Sequence, residues 1–271
     1  MSDNTNISFN ELLNELTSLT NTFVIDVKIP SLNQNVQFKE LNTRQQKKLL
    51  ETVTDTSVYK TEFSRVFLDI IKENLITENI NADNFTIYDK IAIGLFLRSK
   101  ISKSLNVIFN ENPVYTENID ISPIIEKIKT YNHPVSESFN IVKNDSILNV
   151  ELTVPSMSLE AKYESEITKT TKKMENIKNI NEMGTVLSDV FIGEVSKFIS
   201  KITFNSQEID FKNFTINQRI KICEVLTADL TQNILEKISD WKKTLDNILE
   251  VPSKEGNYKK TITLDNLLFL M

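Results

Sequence analysis

The sequence predicts an α+β fold: an N-terminal mixed domain with β-hairpins and helices, followed by a mainly helical C-terminal part. Three observations lead there. Alternating runs at 23–29 and 147–154, closed by Pro30 and Pro155, have the two-residue period of half-buried strands. Between them, 61–76 repeats apolar residues every three or four positions, the period of a helix. Beyond Ser158 the strand period disappears and helical spacing dominates.

The elements follow in order. Ser8, with Glu11 three residues later, is the signature of a capped helix whose stripe is Leu12, Leu13, Leu16 and Leu19. Phe23, Ile25, Val27 and Ile29 alternate with Asp26 and Lys28 and predict a strand. After the polar turn 31–35, Val36 and Phe38 predict its hairpin partner. A short helix over 43–53 turns Leu49, Leu50 and Val53 inward. The helix over 61–76 carries Phe63, Val66, Phe67, Ile70, Ile71 and Leu75. Thr86 is the cap of a third, running to about Lys103 and apolar nearly all round from Ile91 to Leu97, as a central buried helix would be. A strand over 105–109, a short helix over 123–131 and a strand pair over 139–142 and 147–154 complete this half.

The next segment, 158–181, is charged and Thr-rich, and predicts a linker or marginal helix. It separates an α+β domain (1–157) from a helical C-terminal domain (182–271). The latter comprises a helix over 182–201, a long helix over 215–249 closed by Pro252 and Gly256, and an apolar tail.

Composition bounds the function. With 271 residues, 40% apolar and 25% charged, the chain has material for one large core or two smaller ones. The net charge of −6, with bases interleaved among acids, argues against a nucleic-acid or anionic-membrane surface. No stretch approaches the ~20 apolar residues of a membrane span, residues 1–6 lack the layout of a signal peptide, and the lone Cys223 fits a reducing compartment.

The motifs of catalysis are sparse. His133 stands before Pro134 in a turn-like stretch, and Cys223 falls in the apolar row of a helix with Ile220 and Leu226; a loop histidine and a core cysteine are the expected readings. One Cys and one His do not complete a zinc set. Asn79, Asn81 and Asp83 have the alternation of a calcium loop but lack its glycine and its closing glutamate, so a polar turn is expected. Four glycines in the whole chain leave no phosphate-cradling loop, and neither catalytic nor cofactor-binding nor metal-binding residues are assigned.

Binding features remain. The long helix carries Leu230, Ile234, Trp241, Leu245 and Ile248 at spacings of three, four or seven, and the tail carries Leu267 and Phe269. Such stripes pack on their own core or receive a partner, and these residues are the candidate partner-binding set.

Three phrases carry a resemblance. Phe38-Lys39-Glu40-Leu41 precedes a polar helix, Ile93-Gly94-Leu95-Phe96-Leu97-Arg98-Ser99-Lys100 ends an apolar helix on a basic note, and Val150-Glu151-Leu152-Thr153-Val154-Pro155 closes a strand. In this order they resemble the baseplate hub subunit and hub-assembly proteins of T4-like contractile-tailed phages. The C-terminal cysteine pair associated with some members is missing here, and an apolar tail stands instead. The resemblance implies a non-catalytic hub protein that binds other phage tail or baseplate proteins during assembly, without cofactor, nucleic acid or membrane, and with oligomerisation an open possibility. Its place would be the host cytoplasm during assembly and, for a hub subunit, the virion baseplate. Two alternatives stand beside it: a transient tail-assembly chaperone for the tape-measure protein, and a carboxylate-dependent hydrolase built on Glu62, Asp69, Glu73 or Asp89.

Overall fold

A computed structural model describes residues 8–20, 23–54, 63–111, 114–143, 146–174 and 180–268. The architecture is α+β, with helices packed around small antiparallel sheets. Helix α1 (Phe9–Thr20) is started by the expected box: the Glu11 N–H donates to Ser8 Oγ at 3.2 Å, and the Ser8 N–H donates to the Glu11 carboxylate at 2.9 Å. Strands β1 (Val24–Ile29) and β2 (Gln34–Lys39) form the expected hairpin, pairing Ile25 with Phe38 and Val27 with Val36. Those four side chains and Ile29 are buried, as the alternation requires.

Helices α2 (Thr43–Thr54), α3 (Phe63–Asn74) and α4 (Ile87–Ile101) follow. On α2, Leu49 is fully buried and Leu50 half-buried. The start of the second expected helix, 61–62, and the side chain of Val53 lie outside the described residues. Helix α4 opens with a capping box between Thr86 and Asp89 and runs through the middle of the molecule, with Ala92, Ile93, Leu95 and Leu97 buried.

The chain then makes a hairpin of β3 (Ser104–Glu111) and β4 (Val114–Asp120), with a bulge between Ile108 and Asn110. Helix α5 (Ser122–Lys129) leads to β5 (Glu137–Lys143) and β6 (Ser146–Leu152). Strand β4 is absent from the expectation because only its Glu117 is buried, so it has no apolar rhythm.

The second half departs further from expectation. Of the two readings of the charged segment, linker or marginal helix, the helix holds: it is α6 (Met157–Met174), anchored by fully buried Met157 and Tyr163 and by polar contacts that hydropathy does not register. Helix α7 (Ile180–Ser196) stops short, and residues 199–204 are strand β7 (Ile199–Phe204), hairpinned to β8 (Gln207–Asp210). Strand β7 pairs with β6, so the sheet β5-β6-β7-β8 joins both sides of the expected domain boundary. One apolar core runs from the first hairpin through α4 and this sheet into the C-terminal helices. This sheet spans the boundary expected between 1–157 and 182–271.

The long helix is two, α8 (Ile216–Glu224) and α9 (Ala228–Leu249). Thr227 breaks it, its side chain accepting the Leu230 N–H at 3.4 Å as a new N-cap. Strands β9 (Glu250–Pro252) and β10 (Lys259–Thr261) then flank a turn in which Gly256 takes φ +75°, and α10 (Leu264–Leu268) docks on α4.

Candidate functional site

The described residues of the candidate partner-binding set face inward. Leu230, Ile234, Trp241 and Leu245 are buried on α9, Ile248 is half-buried, and all five belong to the core or pack against it. Leu267 is fully buried at the seam of α10 and α4. Phe269 lies outside the described residues. The physical reason is that the first half supplies the surface they cover: α9 packs on α5, and α10 packs on α4, α2 and β3.

Two other apolar surfaces are open. On α1, Phe9, Leu12, Leu16 and Leu19 recur at spacings of three, four and three, with Leu13 widening the stripe and Phe23 continuing its rhythm. Every one of these side chains is exposed, Phe9 by 76%. The whole apolar stripe of this folded helix is therefore in solvent. The helix is also acidic: Glu11 and Glu15 are its charges, and no Lys or Arg occurs among residues 1–27.

The second surface is a groove of about 460 Å³ among α3, α4, α7 and α9. Phe63, Ile91, Phe191, Phe198, Leu235 and Ile238 supply its apolar wall. On α9 these are Leu235 and Ile238, beside the stripe that the sequence singles out and half-buried rather than sealed.

Polar anchors stiffen the groove. Lys197 is buried between Glu160 at 2.8 Å and Glu194 at 2.5 Å. Burial opposes its charge, but the two carboxylates outweigh it and raise its pKa. At the start of α3, Glu164 of α6 accepts the Ser64 N–H at 3.0 Å and the Ser64 hydroxyl, while Lys90 donates to the same hydroxyl at 2.8 Å. Burial pushes the Glu164 carboxyl up, against these bonds and the Lys90 charge. Ser64 and Lys90 thus stand as a serine–lysine pair, but Ser64 is fully buried and its proton points to Glu164. The arrangement ties α3, α4 and α6 together.

Thr86, Asp89 and His133 form a second cluster. Thr86 Oγ1 donates to Asp89 at 2.8 Å and lies 3.0 Å from His133 Nε2, while His133 Nδ1 lies 2.8 Å from the Pro134 carbonyl. In a hydrolytic triad the carboxylate orients the imidazole. Here Asp89 instead binds Thr86 and the Ser31 N–H at 2.9 Å, so the cluster caps α4 and pins the first hairpin to it. Burial lowers the His133 pKa, with the Asp89 charge pulling the other way.

The described acids of the hydrolase alternative, Asp69, Glu73 and Asp89, do not share a site. Glu62 lies outside the described residues, Asp69 is half-buried on α3, Glu73 is exposed and accepts from Gln45 at 3.1 Å, and Asp89 is committed to its cap. None of the three described acids lines the groove. Cys223 is buried, which lifts its thiol to about 12. The 79–83 stretch is a polar turn, with the Asp83 N–H donating to Asn81 at 2.9 Å and the Asp83 carboxylate bound to Lys72 at 2.6 Å. Among the described residues no group of three or more His, Cys, Asp or Glu side chains is placed to hold a metal ion, and no helix is long and apolar enough to cross a membrane.

Comparison with protein-family models, with curated proteins and with solved structures gives no match.

Proposed function

We propose that this chain is a non-catalytic phage tail baseplate hub protein that binds other tail proteins during assembly, with α1 as its docking helix. The observation that supports binding is the exposed stripe of α1 on a helix that carries its own cap. The tail context rests on the three sequence phrases around Phe38, Ile93 and Val150. Charge specifies the occupant: an acidic helix with no base among residues 1–27 suits a protein groove with an apolar floor and a Lys- or Arg-bearing rim. The added Leu13 makes the stripe wider than a two-stranded seam, which favours insertion into a groove over pairing with a second α1.

A second reading, a transient chaperone for the tape-measure protein, draws on the apolar groove, which is open to the side chains of an amphipathic helix. One experiment separates the two. The tagged full chain is used as bait in infected cells, with mass spectrometry of the eluate and of purified particles. Tail proteins in the eluate and this chain in particles support the hub subunit. Tail proteins without the chain in particles support the chaperone. No tail proteins at all overturns both. A Leu12→Asp, Leu16→Asp variant that keeps its circular dichroism spectrum is expected to lose the captured proteins; retention would remove α1 from the proposal.

A further inference from the structure

A polar groove of about 370 Å³ lies where α6 begins, built from segments far apart in sequence: the 3-10 turn at 82–84, the 153–155 stretch after β6, the start of β7, the 3-10 turn at 211–213, and α8. Its volume equals about a dozen waters at ~30 Å³ each, so it has room for more than a single ion.

Four cations line it: Lys162, Lys197, Lys212 and Arg219. Lys197 is neutralised by Glu160 and Glu194. The acid that lines the groove, Asp83, is neutralised by Lys72. Lys162 and Lys212 are exposed at the rim, and no ion pair joins either to a described carboxylate.

Arg219 is the decisive group. It is 5% exposed, its guanidinium sits 5.7 Å from the centre of the Phe211 ring and beside the Tyr163 hydroxyl, and its Nε has no hydrogen-bond partner. No described carboxylate pairs with it. A buried guanidinium facing a π ring and a neutral hydroxyl, with a donor unused, lacks the anion that burial of a charge ordinarily requires.

The helix start supplies the other half. The Met157 N–H donates to the Phe85 carbonyl at 2.6 Å and the Leu159 N–H to Ser156 Oγ at 3.2 Å. Between them the Ser158 N–H has no partner among the described residues, at the positive end of an 18-residue helix. Ser158 also lines the groove, so its hydroxyl adds a donor.

We propose that this groove binds a phosphate monoester, with Arg219 at its floor, the start of α6 as its backbone contact, and Lys162 and Lys212 at its mouth. A phosphate monoester carries about −1.5 to −2 at neutral pH and three strong acceptor oxygens, which matches three uncompensated cations and a helix N-terminus. A carboxylate supplies one charge and leaves the rim unanswered. The organic part of the ester would lie along Leu159 and Phe211. This site is separate from α1 and stands independently of the baseplate reading.

The test is calorimetric titration of the full chain with inorganic phosphate, phenyl phosphate and a phosphoserine peptide, with acetate as control at matched ionic strength. Phosphate and at least one of the two esters are expected to bind while acetate does not, and the stronger ester identifies the source as a small molecule or a modified protein. Lys162→Ala with Lys212→Ala, both at exposed positions, is expected to weaken binding several-fold. Arg219→Met is expected to weaken it about tenfold or more; because Arg219 is buried, its result counts only with an unchanged circular dichroism spectrum, and the lysine pair decides otherwise. No heat with any phosphate probe, equal affinity for acetate, or unchanged affinity in the lysine variant overturns the proposal.

Discussion

Helix α1 and helix α10 are both short leucine-rich segments, and they meet opposite fates. Every described side chain of α1 is exposed, whereas α10 buries Leu264 and Leu267 against α4. Hydrophobicity does not separate them; the receiving surface does. On α4, Gly94 leaves a notch so tight that a Cβ there would stand 2.4 Å from Leu264 Cδ1 and 3.5 Å from Leu267 Cδ1. The chain contains a seat shaped for α10, while the stripe of α1 is left to solvent. A leucine stripe is a demand for a surface, and the surface decides whether it becomes core or interface.

The largest test of this contrast is Leu267→Ala. Removal of a fully buried leucine is expected to cost about 2–5 kcal/mol in chemical denaturation, and a loss under 1 kcal/mol would mean that α10 is not seated as described. Next, Gly94→Leu fills the notch and is expected to cost about 1–3 kcal/mol by overpacking. Hydrogen exchange should then rise in 264–268 before it rises elsewhere; uniform exchange would show that the notch does not hold the tail.

A third test acts on the seat itself, through the cap at the start of α4. Burial holds the His133 pKa below its usual 6.5, so the folded state binds that proton less readily than the unfolded chain. The stability this contributes is complete above about pH 6.5 and is lost as pH falls through the depressed folded value. Melting temperature should decline over that window, and His133→Asn should flatten the decline; an unchanged slope would assign the acid sensitivity to other groups. The smallest effect belongs to α1: Leu12→Ala and Leu16→Ala should each change stability by no more than about 0.5 kcal/mol, though both belong to the proposed docking face. A loss above 2 kcal/mol would make α1 part of the core and end the contrast.

Sequence reading succeeds where one local signal suffices. The hairpin of β1 and β2 is legible because Ile25, Val27 and Ile29 alternate with polar residues, and α1, α4 and their caps are legible from Ser8–Glu11 and Thr86. It fails where two periods coincide. Val195, Phe198, Ile199 and Ile202 fall at helical spacing, yet Ile199 and Ile202 lie in β7, which pairs with β6. That pairing is a long-range contact, and hydropathy contains no trace of it. The break between α8 and α9 was legible in principle, since Thr227 is a good N-cap, but Cys223, Leu226 and Leu230 keep the apolar rhythm across it. For α6, the anchors include Glu160 and Glu164, which read as solvated charge until their partners Lys197 and Ser64 are in place. The stripe of α9 was visible, but not which side of it would close. The cation-lined groove draws single residues from distant segments and leaves no local pattern.

The pairing of β6 with β7 also sets an order of events during synthesis. Strands β5 and β6 are made early, but β6 keeps a bare edge while the ribosome adds α6 and α7, and the notch on α4 stays empty until residues 264–268 emerge. Such sequence-distant closures slow folding and leave apolar surface exposed to neighbouring chains meanwhile. On a polysome, where copies are close together, the notch on α4 stays open to neighbouring chains until α10 arrives.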